Sequence, residues 1–576
     1  MRLKGVAASP GVGLGRILLY REPDLNFDKV VFSGVENEKK RLNAAVAKFK
    51  EEIALLAAAA EKRSGASQAA ILTGQVAMIS DPYMISRAEE LIAKGQVAEA
   101  AAAEVAQGFE DMFNALEDEK TRQRATDIGD LKKRLLGILL GVKRLEWSEI
   151  ADDAVLVALD LPASVISSLP MDKVLAFATE QGGLTSHGAI MARSLGVPAV
   201  TGLIGLMGQE LKDGQPIVVD GSSGEIILDP SPEESRDYVS RRQAWREDQA
   251  SLKIYLKKVA VDKDGTRRLL GSNIGGLADA RQAQEFGSDG VGLFRTEFLF
   301  LDRATLPTEE EQTRIYAEVA SLFPESEVII RTLDVGGDKQ PVAFDMAKEE
   351  NPYLGLRGIR YYQVRPDILK TQLRALSRGA AQYGNIKIML PLVISLEEVT
   401  FVKALFKEVV AELASEGLPH AEEMPLGIMV ETPAAALIID LLATVSDFFS
   451  VGTNDLTQYT LIADRGNPQV NHLCDPFHPA LLRSLKGVIG EARKAQTPIG
   501  LCGEIGGDPR MLPLLMGFGL SKFSVNPASL ARVRRDMSSW SLAEATDLAE
   551  EILTLPTVES VKARLKKALD QRGKTS

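Results

Sequence analysis

From Val261 onward the chain carries eight short apolar, strand-like runs: LLGSNI, GVGLF, EVIIRT, IKIMLPLV, PLGIMV, DFFSVGT, PIGLC and KFSVN. Segments with helical spacing separate most of them. A strand buried on both faces reads as a continuous apolar run, and parallel neighbours need a crossover long enough to hold a helix. Eight such alternations within residues 261–576 predict a (β/α)8 TIM barrel. Such barrels place their chemistry on the loops that follow the carboxyl ends of the strands. The polar residues at those places are Arg295 and Glu297 after the second run, Arg331, Asp334 and Arg357 after the third, and Glu431 after the fifth. Asn454, Asp455 and Arg465 follow the sixth run, and Cys502 and Glu504 the seventh.

Four arginines on one rim point to a small, multiply charged anion, because a guanidinium meets phosphate or carboxylate through a planar fork. Glu431 and Asp455 supply the hard oxygens that Mg2+ takes, with substrate oxygens and water completing its octahedron. A lone cysteine at a strand end is often no more than a small buried apolar residue. Beside arginines and a metal, however, the Cys502 thiol suits proton transfer. His472, Cys474 and His478 lack a fourth ligand at a structural-zinc spacing.

The amino-terminal half has a different texture. Extended pieces, VAAS and RILLY, flank the glycine-rich SPGVG, and a turn between strands is expected there. The run Gly11–Arg16 fails as a dinucleotide fingerprint, since the third glycine position is Arg16 and no helical pattern follows. From Glu36 to Lys143 the chain is rich in Ala, Leu, Glu and Lys at i, i+3, i+4 spacing, with breaks near Ser64-Gly65, Asp81-Pro82 and Gly95. This predicts a bundle of about four helices. Its stretch Asp81–Lys120 holds ten acidic and three basic residues, which reads as a solvated face or as a docking surface for a basic partner. The runs VLVALDL, KVLAFA, IVVDG and EIIL return to strand character, so the bundle is expected as an insertion in an α/β unit. The expected organisation is an α/β domain of residues 1–20 and 146–228, a bundle of 21–145, a helical linker of 229–260 and the barrel of 261–576.

Charge and cysteine content narrow the partners and the compartment. With 67 basic and 79 acidic side chains the chain carries a net charge of −12, which disfavours nucleic acid as a partner. Two cysteines, Cys474 and Cys502, make no disulfide framework, and no apolar run is long enough for a membrane span or a signal-peptide core. A soluble cytoplasmic protein is expected.

The α/β unit also carries GGLTSHGAIMARSLG, residues 182–196. Its glycines permit an exposed loop, Thr185 or Ser186 can cap, and His187 then stands at a helix start, where unpaired N–H groups favour an added phosphoryl group. GGLTSHGAIMARSLGVPAV resembles the phosphohistidine motif of the phosphoenolpyruvate-utilising enzymes. GLFRTEFLF, IRTLDVGGDK, GIMVETPAA, VGTNDLTQY and LCGE resemble the barrel motifs of the Enzyme I family, the phosphoenolpyruvate–protein phosphotransferases of the bacterial sugar phosphotransferase system. The resemblance spans essentially the whole chain. It implies a swivelling phosphohistidine domain, His187 as the phosphorylated residue, and phosphoenolpyruvate held by Arg295, Arg331, Arg357, Asn454, Asp455 and Arg465. It further implies Mg2+ on Glu431 and Asp455, Cys502 as the acid that protonates the enolate, dimerisation through the barrel, and phosphoryl delivery to the histidine carrier protein HPr on the bundle. The chain departs from the family pattern at Gln75 (usually His), Gly129 (Arg), Leu184 (Arg) and Ile166 (Thr), all in the amino-terminal half.

Overall fold

The computed structural model describes residues 1–21, 25–64, 79, 81–114, 119–142, 150, 152–161, 165–166, 169–170, 173–183, 186–300, 305–337, 344, 349–467 and 469–573. It divides into two compact units, Met1–Ala250 and Ser251–Ser576.

The first unit is built on an eight-stranded sheet: β1 (Arg2–Lys4), β2 (Val6–Ser9), β3 (Val12–Tyr20), β4 (Ala154–Ala158), β5 (Val174–Thr179), β6 (Ala199–Thr201), β7 (Pro216–Asp220) and β8 (Glu225–Leu228). The order is β1-β8-β7-β3-β4-β5-β6-β2. The centre, β3 to β6, is parallel, and β4 is accordingly solid apolar, AVLVA, with every residue buried. Alternate side chains serve opposite faces: Leu156 joins a cluster with Phe177 and Ala189, while Val155 and Val157 join Ile217 and Leu206.

The expected turn between the strands VAAS and RILLY falls at Pro10-Gly11, between β2 and β3, and is shorter than SPGVG. Only Gly11, at φ +118°, turns the chain, whereas Gly13 and Gly15 lie inside β3. A Cβ on Gly13 would stand 2.4 Å from that of Ala176, and one on Gly15 would stand 2.0 Å from the Asp153 carbonyl oxygen. These glycines answer to close backbone approach.

Between β3 and β4 the described residues form the helices Val35–Ser64, Pro82–Ala93, Ala98–Asn114 and Glu119–Leu139. The second begins where Asp81 Oδ1 accepts the Tyr83 N–H at 2.8 Å and Pro82 takes the first position. Leu42, Phe49, Ile92, Ala101 and Leu131 fill the shared core. The acidic run is not one solvated face. Glu99 is fully buried and ion-paired to Arg41, Glu110 meets Lys132 at 2.7 Å, and Glu89 meets Lys39 at 3.5 Å. Helical period places Glu99 on the same inward side as Ala98 and Ala102, where Arg41 comes across from the first helix. Gln75 lies outside the described residues.

A helix of Pro232–Leu252 follows the sheet. Glu234 Oε2 accepts the Ser231 N–H at 2.8 Å at its start, and Tyr238, buried against Val12, Val218 and Ile227, donates its hydroxyl to Glu225.

In the second unit all eight apolar runs form strands: β9 (Leu269–Ile274), β10 (Val291–Arg295), β11 (Val328–Arg331), β12 (Ile386–Leu390), β13 (Leu426–Val430), β14 (Phe449–Val451), β15 (Ile499–Leu501) and β16 (Lys522–Val525). They close into a parallel barrel in which β16 pairs with β9. Leu293, Ile329, Met389, Met429, Phe448 and Cys502 pack together in one buried cluster, and helices cover the outside. Among the described residues no helix is long and apolar enough to cross a membrane.

Candidate active site

The strand ends set the site. Arg295 and Arg331 are the last residues of β10 and β11, Glu431 follows β13, and Cys502 follows β15. Asn454 and Asp455 open the helix Thr453–Leu461 directly after β14, and Arg465 lies in the turn beyond it. Arg357 arrives on the loop after β11. That loop can close because Gly336, at φ +110°, brings its backbone so near Arg357 that a Cβ would stand 2.9 Å from the Arg357 Cα.

Arg331, Arg357, Glu431, Asp455 and Cys502 are all buried, while Arg295, Asn454 and Arg465 are half-buried. Arg331 reaches Glu297 at 2.7 Å and Asp334 at 3.3 Å. Arg357 lies between Asp334, at 2.8 Å, and Asp455, at 3.1 Å, and Arg465 approaches Asp455 at 3.6 Å. Burial opposes the charge on Arg331 and Arg357, but these carboxylates outweigh it and both guanidinium pKa values are raised. Asp334 and Glu297 are thus as central as the expected residues. The signal for them was present in RTE and RTLD, but their work is to hold arginines, which a list of possible ligands overlooks.

Glu431 Oε1 accepts the Leu392 N–H at 2.7 Å. Its Oε2 is buried with no hydrogen-bond partner among the described residues. Room for this carboxyl depends on Gly452, whose Cβ would stand 2.8 Å from Oε2. Burial and the neighbouring Asp455 charge push the Glu431 carboxyl well above the usual range. Burial likewise pushes the Cys502 thiol up, with Glu431 adding to the rise and Arg331 and Arg295 opposing it. The main chain at Cys502 is pinned by Asn273 of β9, whose amide donates to the Cys502 carbonyl at 2.8 Å while accepting from Ser524 at 2.7 Å. Asn454 Oδ1 faces the Glu504 N–H at 3.4 Å. Among the described residues no three His, Cys, Asp or Glu side chains gather in a metal-holding group, so Glu431 and Asp455 are a pair of carboxylates and not a cage. Outside the rim, Cys474 donates to the Ala463 carbonyl oxygen and His478 caps the helix Pro479–Lys494.

In the first unit Ser186 caps the helix His187–Leu195, accepting the Ala189 N–H at 3.3 Å, and Gly196 ends it at φ +67°. His187 is the first helical residue, and its imidazole lies outside the described atoms, as do Leu184 and Thr185. Ile166 is fully buried in the cluster that holds Ala189 and Ala192 beneath this helix. Gly129 faces the Glu110 carboxylate, which a Cβ there would meet at 3.5 Å.

A rim of arginines, a carboxylate pair, a buried thiol and a capped histidine helix occur in one chain. Matches to known families cover all of these parts: the N-terminal domain of PEP-utilising enzymes over residues 4–124, their mobile domain over 150–224, and their PEP-binding domain over 249–542. The chain belongs to the PEP-utilising enzymes. Within them it falls among the phosphoenolpyruvate-protein phosphotransferases. It is 40% identical to that of Bacillus subtilis over 565 residues, which is 98% of this chain and 99% of the relative. It is also 40% identical to that of Geobacillus stearothermophilus, over 98% of both chains. An NMR solution structure of an Enzyme I protein is 36% identical, over 42% of this chain and 99% of that one, with a TM-score of 0.39. In their described residues, all the barrel motifs of the sequence lie at a strand end of the barrel or on the loop after it.

Proposed function

We propose that the chain transfers the phosphoryl group of phosphoenolpyruvate to its own His187 and then to the histidine carrier protein HPr, releasing pyruvate. This is the first step of sugar phosphotransfer and is placed in the cytoplasm. The observation that carries the reading is the rim: arginines from separate strand ends converge with a buried thiol and a carboxylate pair. The substrate is a phosphate ester and a carboxylate at once, which suits several guanidinium groups. Arg295, Arg331, Arg357 and Arg465 hold it, with Asn454 at its edge.

Glu431 and Asp455 would hold Mg2+, and the unpartnered Glu431 Oε2 is the oxygen this assignment needs. Such an ion would offset the charge of the phosphoryl oxygens. A nitrogen of His187 attacks phosphorus, the P–O bond to the enol oxygen breaks, and that oxygen keeps the electron pair. Cys502, which burial holds in its thiol form, gives its proton to the enolate carbon to make pyruvate, and solvent restores the thiol.

The bundle is the surface for HPr. Tyr83 is exposed and meets Phe109 edge-on at 6.1 Å on two adjoining helices, close to the acidic residues Glu89 and Glu90. A homodimer through the barrel is supported by Leu437, Leu441, Ile462 and Leu473, which stand exposed on or at the ends of the short helices after the adjacent strands β13 and β14. The test is mass spectrometry after incubation with phosphoenolpyruvate. One acid-labile phosphoryl group is expected on His187, with one pyruvate released per chain. Full labelling of His187→Ala would overturn the assignment.

A further inference from the structure

An arginine has five N–H donors, and on Arg357 all five are engaged. Nε donates to Asp334 Oδ1 at 3.0 Å and Nη2 to Asp334 Oδ2 at 2.8 Å. Nη1 donates to Asp455 Oδ1 at 3.1 Å, and Nη2 to Asp455 Oδ2 at 3.3 Å. The last donor, also on Nη1, goes to the Tyr459 hydroxyl oxygen at 3.2 Å, and that hydroxyl in turn donates to the Tyr353 carbonyl at 2.6 Å. Arg357 is 1% exposed. An anion can therefore gain Arg357 only by replacing an acceptor that the guanidinium already has.

The two carboxylates are not equal competitors. Asp334 is fully buried and makes the shorter pair of bonds to Arg357, at 2.8 and 3.0 Å, so releasing it would give up the tighter contact and leave a buried charge to the longer contact with Arg331, at 3.3 Å. Asp455 lies on a separate element, the helix after β14. It has a second cation, Arg465, at 3.6 Å, and it stands beside the unpartnered Glu431 Oε2.

We propose that Asp455 is a gate on Arg357: its carboxylate competes with the substrate anion for this guanidinium, and a divalent cation taken up by Asp455 sets the arginine free. The inference rests on the function proposed above and adds a coupling to it. Cation and phosphate each raise the affinity for the other, and by the same factor, because coupling free energy is reciprocal. The arrangement also keeps the rim near neutral until cation and anion arrive together. Four buried carboxylates unrelieved by arginine would be far less stable.

The decisive measurement uses inorganic phosphate as probe, on the full chain treated with chelator, by calorimetry. Asp455→Asn should bind phosphate roughly tenfold more tightly than the wild type, the worth of one charge-assisted hydrogen-bond competitor. Glu431→Gln removes a carboxyl from the same rim without touching an arginine, so its gain should stay under about twofold. Equal gains would mean a general charge effect, and no gain in Asp455→Asn would mean no gate; either result overturns the proposal. Should Asp455→Asn fail to fold, Tyr459→Phe serves instead. It frees one Arg357 N–H without changing charge and should tighten phosphate binding by a few-fold, and unchanged or weaker binding would count against the gate. The function reading is tested separately by Mn2+ titration followed by electron paramagnetic resonance. Binding to the wild type that is lost in Glu431→Gln supports the metal pair. A wild type that takes no Mn2+ sinks the metal assignment, while the phosphate series still decides the gate.

Discussion

In the proposed function the barrel rim and the start of the His187 helix would serve one phosphoryl group, and they are built in opposite ways. The rim is made of buried side chains that hold one another across the barrel: Arg331 of β11 with Glu297, and Arg357 with Asp455 from the far side of two strands. The histidine helix is made of local parts, a serine cap, a loop with Gly182 at φ +102°, and a nine-residue helix closed by Gly196. A site that must stabilise developing charge gains from fixed groups in a dry setting. A histidine that must meet first a substrate and then a second protein has to present itself on a short, accessible turn. Rigidity belongs to the chemistry and local economy to the carrier.

The largest effect should come from the rim. Cys502→Ala removes the only thiol among the described residues of the rim while leaving every arginine in place. Pyruvate release should fall by about 10²–10⁴-fold, the span for loss of a general acid, with phosphoenolpyruvate affinity unchanged. Single-turnover pyruvate detection separates the two quantities. A variant that releases pyruvate at the wild-type rate would remove Cys502 from the reaction.

Next comes stability. Arg331→Met leaves Glu297 and Asp334 buried without one of their cations. Breaking a buried ion pair from one side costs about 3–5 kcal/mol, so the barrel unit should unfold at clearly lower denaturant. Ser186→Ala, by contrast, deletes a cap on a short helix and should cost only about 1 kcal/mol. That loss should appear in the first unit's transition alone. If the two substitutions cost the same, the contrast between a long-range network and a local cap fails.

Much of this was legible in the sequence, for reasons that can be named. The barrel strands were readable because strands covered on both faces are unbroken apolar runs, and because arginines and carboxylates at their ends stand out against such runs. β1 and β6 were missed: three residues each, RLK and AVT, are too short to show any period. The bundle's breaks were readable from Asp81-Pro82 and Gly95, since capping chemistry is local. The burial of Glu99 was not, because its partner Arg41 comes from another helix 58 residues earlier. The same limit hid Asn273 and the pairing of Asp334 with Arg357. Strand-end position suggests who stands on the rim, but pairing across the barrel decides who holds whom.

The smallest expected effect concerns acid and again compares the units. Each contains a glutamate that accepts a backbone N–H at a helix start and is lowered to about 2 from an ordinary 4.5 by that bond and neighbouring basic groups, Glu234 from Ser231 and Glu544 from Ser541. Because the folded value is the lower one, these groups favour folding above pH 4.5, and that contribution is lost as pH falls from 4.5 towards 2. Both carboxylates are part-exposed, so solvent screens their charge partners, but Glu234 meets one cation, Arg2 at 2.9 Å, whereas Glu544 meets two, Arg572 at 2.8 Å and Lys263 at 3.0 Å. Glu544→Gln should therefore flatten the acid limb of barrel unfolding more than Glu234→Gln flattens that of the first unit. Trp540, buried two residues before the helix Leu542–Leu553, reports the barrel transition once Trp147 and Trp245 are replaced by Phe. Equal flattening in both units would show that the backbone bond alone sets the effect, and that the added cations at Glu544 contribute nothing to acid resistance.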